Sequence, residues 1–169
     1  MKQKEGLPAG RQGYSLLEAV IYIAILSVVA VIVVESVFSL YRAYGRSRVD
    51  RRINLNGDYA IERIIREIRE ATSTDPASSS FGISPGILAA GGKTFSLAGA
   101  NGPLQVAEQN GSVEAITSDV DVMSLYFYRQ TSATAPSEII KVEIILSAGE
   151  GSFTKTRSFY GSAVLRKKY

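Results

Sequence analysis

Between Ala19 and Val34 the chain runs AVIYIAILSVVAVIVV, sixteen residues whose one strongly polar member is Ser27. Extended back to Tyr14 the segment is 21 residues long, which as a helix spans about 31 Å at about 1.5 Å per residue. The hydrocarbon core of a bilayer is about 30 Å thick, so the segment is expected to cross a membrane. A soluble fold would have to surround this helix on every side, and the 97 residues from Ser73 onward are too few to do so. A cleaved secretory signal is the other alternative. The apolar run exceeds the usual signal core, and no A-x-A site follows it. Val33-Val34-Glu35-Ser36-Val37 continues into helix-compatible sequence, so the segment is expected to stay in the protein.

Composition removes several functions. The chain has no cysteine and no histidine among its 169 residues. Disulfides, thiolate nucleophiles and Cys-based metal sites are therefore excluded, as are the usual general base and commonest metal ligand. The formal net charge of +3 is too small to imply nucleic acid by itself, and it is unevenly placed. Residues 1–13 carry +2, 14–34 carry −1, 35–72 carry +2 and 73–169 carry none.

The junction before the apolar run is more specific. Gly13-Tyr14-Ser15-Leu16-Leu17-Glu18 joins a short basic leader to the hydrophobic segment. This resembles the processing site of type IV pilins and of the pseudopilins of type II secretion. The resemblance implies that a prepilin peptidase cuts after Gly13 and methylates the new amine of Tyr14, leaving 156 residues. It implies other pilin-like subunits and an inner-membrane assembly platform as further partners, and no cofactor. The implied location is a single pass of the cytoplasmic membrane with the head outside, then a filament. A carboxylate inside a bilayer costs about 2.5–3.5 kcal/mol, so an acid such as Glu18 calls for a function. Glu18 lies four residues after Tyr14, about 6 Å along a helix, and a cationic amine at Tyr14 would be its partner. In the family that pairing is made with a neighbouring subunit. The plainer alternative is an acid reaching the interface from the start of the helix.

Two features depart from the pilin pattern. No proline occurs between Pro8 and Pro76, and Glu35 stands where many pilins place one, which argues for a straighter helix and against a major pilin. The leader is also longer than the shortest ones. Orientation meets a conflict, because Arg42, Arg46, Arg48, Arg51 and Arg52 follow the apolar run with Asp50 alone against them. The positive-inside rule would put that side in the cytoplasm, whereas a peptidase site at Gly13 requires the opposite.

The helical period continues beyond Val34. Val37, Tyr41 and Tyr44 fall on one face, and Ile61, Ile64, Ile65 and Ile68 repeat at i, i+3, i+4, i+7. Glu62 with Arg66, and Arg66 with Glu70, are spaced as helix ion pairs. Gly45 and Asn56-Gly57-Asp58 are expected weak points or kinks, and residues 59–71 are expected to pack under the head. Acids interleave with the arginines and no aromatic platform alternates with them, which favours a solvated face with lipid-headgroup contact over nucleic acid. Helix signals end at Asp75-Pro76. Leu104–Glu108 and Val113–Thr117 flank Asn110-Gly111, a hairpin signal. Asn110-Gly111-Ser112 is read as that turn and not as a glycosylation site. Val120–Arg129 and Glu138–Leu146 read as strands, and Ser152–Tyr160 with Ala163–Leu165 supplies another. The fold class is α+β: a long N-terminal helix, transmembrane then amphipathic, on a C-terminal antiparallel sheet. The divisions are a leader at 1–13, a membrane and assembly helix at 14–34, its amphipathic continuation at 35–72 and a β-rich head at 73–169. The strand order most resembles the J- or W-type minor pseudopilins.

Chemistry in the head is sparse. Asp119 and Asp121, two apart and hence on one strand face, are weak metal candidates, too few alone for calcium. Gly91-Gly92-Lys93-Thr94 lacks the upstream glycine of a phosphate loop, and no S-x-x-K occurs. No enzyme is expected. The expected function is that of a structural subunit, minor rather than major. The alternatives are a signal-anchored extracytoplasmic binding domain that never polymerises and a membrane-tethered enzyme.

Overall fold

The computed structural model describes residues 16–131, 137–151 and 153–166. The chain divides into two units, Met1–Ala43 and Tyr44–Tyr169. One helix, α1 (Leu16–Glu70), contributes to both.

In the N-terminal unit every described residue except Glu18 is exposed, although most are large and apolar. Such a surface is stable only when lipid or protein covers it, since each large apolar side chain left in water forfeits about 1.5–3 kcal/mol. Two serine hydroxyls are bonded within the helix. Ser27 Oγ donates to the Ile23 carbonyl at 2.7 Å, and Ser36 Oγ to that of Ile32 at 2.8 Å. In hydrocarbon, where water offers no alternative partner, that internal bonding matters.

From Tyr44 onward α1 changes character. Val49, Ile53, Gly57, Ala60, Ile64 and Ile68 are buried at intervals of three or four residues, the signature of one helix face turned to a core. Ile61 and Ile65 are partly buried against the same core. The packed face therefore begins ten residues before the expected 59–71 segment. The helix is unbroken through Gly45 and through Asn56-Gly57-Asp58, which corrects the expectation of kinks there. Gly57 is required for proximity, not bending: a Cβ on it would lie 2.3 Å from the Phe159 ring. The helix closes at Glu70, and the chain then peels into a bridge between Thr74 and Ala90.

Among the described residues seven antiparallel strands follow, confirming the α+β class. β1 (Leu88–Ala90), β2 (Lys93–Leu97), β3 (Leu104–Glu108) and β4 (Val113–Ala115) form one sheet in that order. β5 (Asp121–Thr131), β6 (Ser137–Glu150) and β7 (Phe153–Arg166) form a second. The expected single sheet is thus two. The break follows β4, where Ile116 N bonds back to the Leu104 carbonyl at 2.7 Å and Thr117 Oγ1 accepts from Leu104 N at 2.9 Å. Ser118 N then donates to Asn56 Oδ1 on α1 at 2.9 Å, drawing the chain away from β4 before β5 begins.

Three further differences have local causes. β1 and β2 were not foreseen, because Leu88-Ala89-Ala90 carries no β-branched residue. Their turn is Gly91-Gly92 at φ +60° and +80°, the two positive angles that a two-residue hairpin favours. β7 runs as one unbroken strand, Phe153–Arg166, through the gap between the two stretches expected to supply it. Gly161 does not interrupt it but admits the helix, since a Cβ there would meet Ile65 at 2.6 Å and Ile61 at 2.7 Å. In β6, Ile140, Val142, Ile144 and Leu146 are buried as the alternation implies. In β5 the buried residues are Val122, Leu125 and Phe127; the step of three from 122 to 125 reflects a register shift between Val122 and Ser124.

Candidate processing and assembly site

Glu18 is the one Asp, Glu, Lys or Arg between residues 16 and 34. It lies in the first turn of α1, where the partial positive charge of a helix N-terminus favours a carboxylate. It is half-buried, and its Oε1 accepts a hydrogen bond from Tyr22 OH, one turn later, at 3.3 Å. That long, single bond leaves most of the carboxylate's acceptor capacity for a group outside the unit. Gly13 and Tyr14, the expected cleavage and methylation positions, lie outside the described residues.

The other candidates have structural roles. Asp121 opens β5, but Asp119 precedes the strand at φ +58°, so the two do not share a strand face. That corrects the geometric basis of the metal suggestion. Among the described residues no group of three or more His, Cys, Asp or Glu is placed to hold an ion. Gly91-Gly92 is the β1–β2 turn and Lys93-Thr94 opens β2, and Lys93 Nζ bonds Glu67 Oε2 at 2.9 Å. That hydrogen bond raises the Lys93 pKa, with burial opposing it. Asp75 accepts from Ser78 Oγ at 2.6 Å and Ala77 N at 3.0 Å, which together lower its carboxyl pKa.

The arginine segment is clasped by the end of β6 and the start of β7. Arg48 meets Glu150 at 3.0 Å, with Arg52 at 3.7 Å from the same carboxylate. Lys155 pairs with Asp50, Arg157 Nη1 donates to Asn54 Oδ1 at 2.5 Å, and Arg46 lies 5.2 Å from the centre of the Phe153 ring. Glu62 and Arg66 form the expected helix pair at 2.8 Å. Exposed pairs of this kind contribute about 0–1 kcal/mol each, so the clasp sets register more than stability. Nothing in the sequence could have joined Asp50 to Lys155 across 105 residues; only the hairpin length does so.

A buried ionic centre was also missed. Glu138, on β6 and 4% exposed, accepts from Arg129 Nε at 2.5 Å and from the Thr74 hydroxyl. The signal available was a glutamate in phase with the buried isoleucines of its strand.

Residues 8–34 match the prokaryotic N-terminal methylation motif. The match includes Gly13, Tyr14 and Glu18 together with the whole apolar run. No curated protein and no solved structure matches the chain. The motif supports a pilin-like or pseudopilin role, and with it processing by a prepilin peptidase and association with other pilin subunits. α1 is long and apolar enough to cross a membrane, with none of its most apolar window buried. Motif and helix together fit a membrane-anchored protein.

Proposed function

We propose that this chain is a minor structural subunit of a type IV pilus or type II secretion pseudopilus, of the J- or W-like kind, without catalytic activity. Peptidase cleavage after Gly13 frees a methylated amine at Tyr14, and Glu18 of one subunit pairs with that amine on its neighbour. The observation that carries the reading is the exposed apolar surface of α1, interrupted by one half-buried acid in its first turn, inside the matched motif. About twenty large side chains at about 1.5–3 kcal/mol each make lipid or a bundle of like helices the two tenable surroundings. The head lies outside the cytoplasm, against the charge bias of the arginine segment, because the cleavage site must face the peptidase.

Co-expression with a prepilin peptidase tests this directly. Mass spectrometry is expected to find a chain beginning at methylated Tyr14. Glu18→Ala is expected to leave membrane insertion intact and reduce recovery in sheared filaments at least tenfold. An unprocessed chain that works normally would instead favour an anchored extracytoplasmic binding domain.

A further inference from the structure

We propose that the arginine-rich start of the C-terminal unit, with the adjoining ends of β6 and β7 packed against it, is a binding surface for anionic phospholipid headgroups. The inference rests on membrane anchoring by α1 and not on filament assembly. Charge in this unit is segregated. Arg46, Arg48, Arg51 and Arg52 on α1 are joined by Lys155 and Arg157 from β7, six cations against the two acids Asp50 and Glu150. From residue 53 to 148 the balance reverses, with six bases against eleven acids. Two of the cations come from more than 100 residues away, so the hairpin concentrates positive charge where the helix alone would carry less.

The two acids are already engaged, Asp50 by Lys155 and Glu150 by Arg48 and Arg52. Arg46, Arg51 and Arg157 are exposed and have no carboxylate partner among the described residues. Phe38, Leu40, Tyr41 and Tyr44, all exposed, directly precede them in the chain, and tyrosines of this kind favour the headgroup level of a bilayer. Charge complementarity therefore selects an anionic lipid surface. Each cation near such a surface strengthens binding by about fivefold, and salt screens the attraction.

The test uses the full chain in mixed micelles containing phosphatidylglycerol and phosphatidylcholine in equal amounts, with retained lipid read by native mass spectrometry. Phosphatidylglycerol is expected to be enriched. The Arg46→Gln/Arg51→Gln double variant is expected to lower that enrichment by about twentyfold, and raised salt to abolish it. Lys141→Gln, a cation on β6, should leave it unchanged. If near-ultraviolet circular dichroism shows the double variant misfolded, Arg51→Gln alone should lower enrichment about fivefold. Equal retention of the two lipids, or enrichment indifferent to the arginine substitutions, overturns the proposal. Displacement of phosphatidylglycerol by single-stranded oligothymidine at equal phosphate concentration overturns it in favour of nucleic acid. A chain that retains no lipid overturns the anchor as well.

Discussion

Two glycines of α1 give a test in which one substitution changes sign with position. Replacing a helix-interior glycine by alanine gains about 0.8–1 kcal/mol of intrinsic helix stability. At Gly45 the new Cβ would stand 3.4 and 3.6 Å from the Phe153 ring, ordinary contact, so the gain is realised. At Gly57 it would stand 2.3–2.4 Å from three atoms of the Phe159 ring. Phe159 is held between the helix and the buried residues of β6, and relieving an overlap of more than 1 Å displaces the ring or the strand. Overpacking of this kind costs about 1–3 kcal/mol, occasionally more. Gly57→Ala is therefore expected to be destabilising by up to about 2 kcal/mol net, and Gly45→Ala stabilising by about 0.5–1 kcal/mol. For a unit of this size, each kcal/mol moves the melting temperature by about 3–6 °C. Melting of the full chain in detergent, followed by the near-ultraviolet dichroism of its tyrosines, reads both. Phe159→Leu in the Gly57→Ala background should recover part of the loss, giving a favourable coupling energy. A Gly57→Ala chain that melts higher than the parent would refute the close approach of β7 to α1.

Other perturbations test the remaining polar contacts. Glu138→Ala leaves Arg129 and Thr74 without their shared acceptor and is expected to cost about 2–4 kcal/mol, measured by the same melts. The raised pKa of Lys93 means that its bond to Glu67 stabilises the fold fully below the unfolded value of about 10.5 and is lost as pH rises through the folded value. Lys93→Gln should remove the part of the alkaline limb that belongs to this pair. Asp75 has the opposite sign: its pKa is lowered, so its contribution is present above about 3.8 and is lost as pH falls through the folded value. Amide exchange of Ala77 should quicken below that pH, and Asp75→Asn should flatten the response.

What was legible in the sequence follows from what sequence pattern encodes. The apolar run and the alternation of β6 are single-element signals: each residue's environment is set by the period of its own helix or strand. Glu18 stands out in the sequence for a related reason, since a carboxylate in an apolar run carries a cost that its own segment cannot offset. The errors concern relations between elements. Gly57 looks like a helix breaker when read within α1, and only the Phe159 ring, 102 residues later, explains it. Gly161 has no evident reason within β7 until Ile61 and Ile65 are placed over it. These two glycines are one feature, with the helix hollowed for a strand side chain and the strand hollowed for helix side chains. Asp119 misled in the same way, because period-two reasoning presumes a strand that had not yet begun at φ +58°. The motif-bearing end of the chain was legible and the head's architecture was less so, because an exposed apolar helix is marked by a composition that every one of its residues shares. A head built on pairwise fit leaves glycines and acids whose reasons lie a hundred residues away.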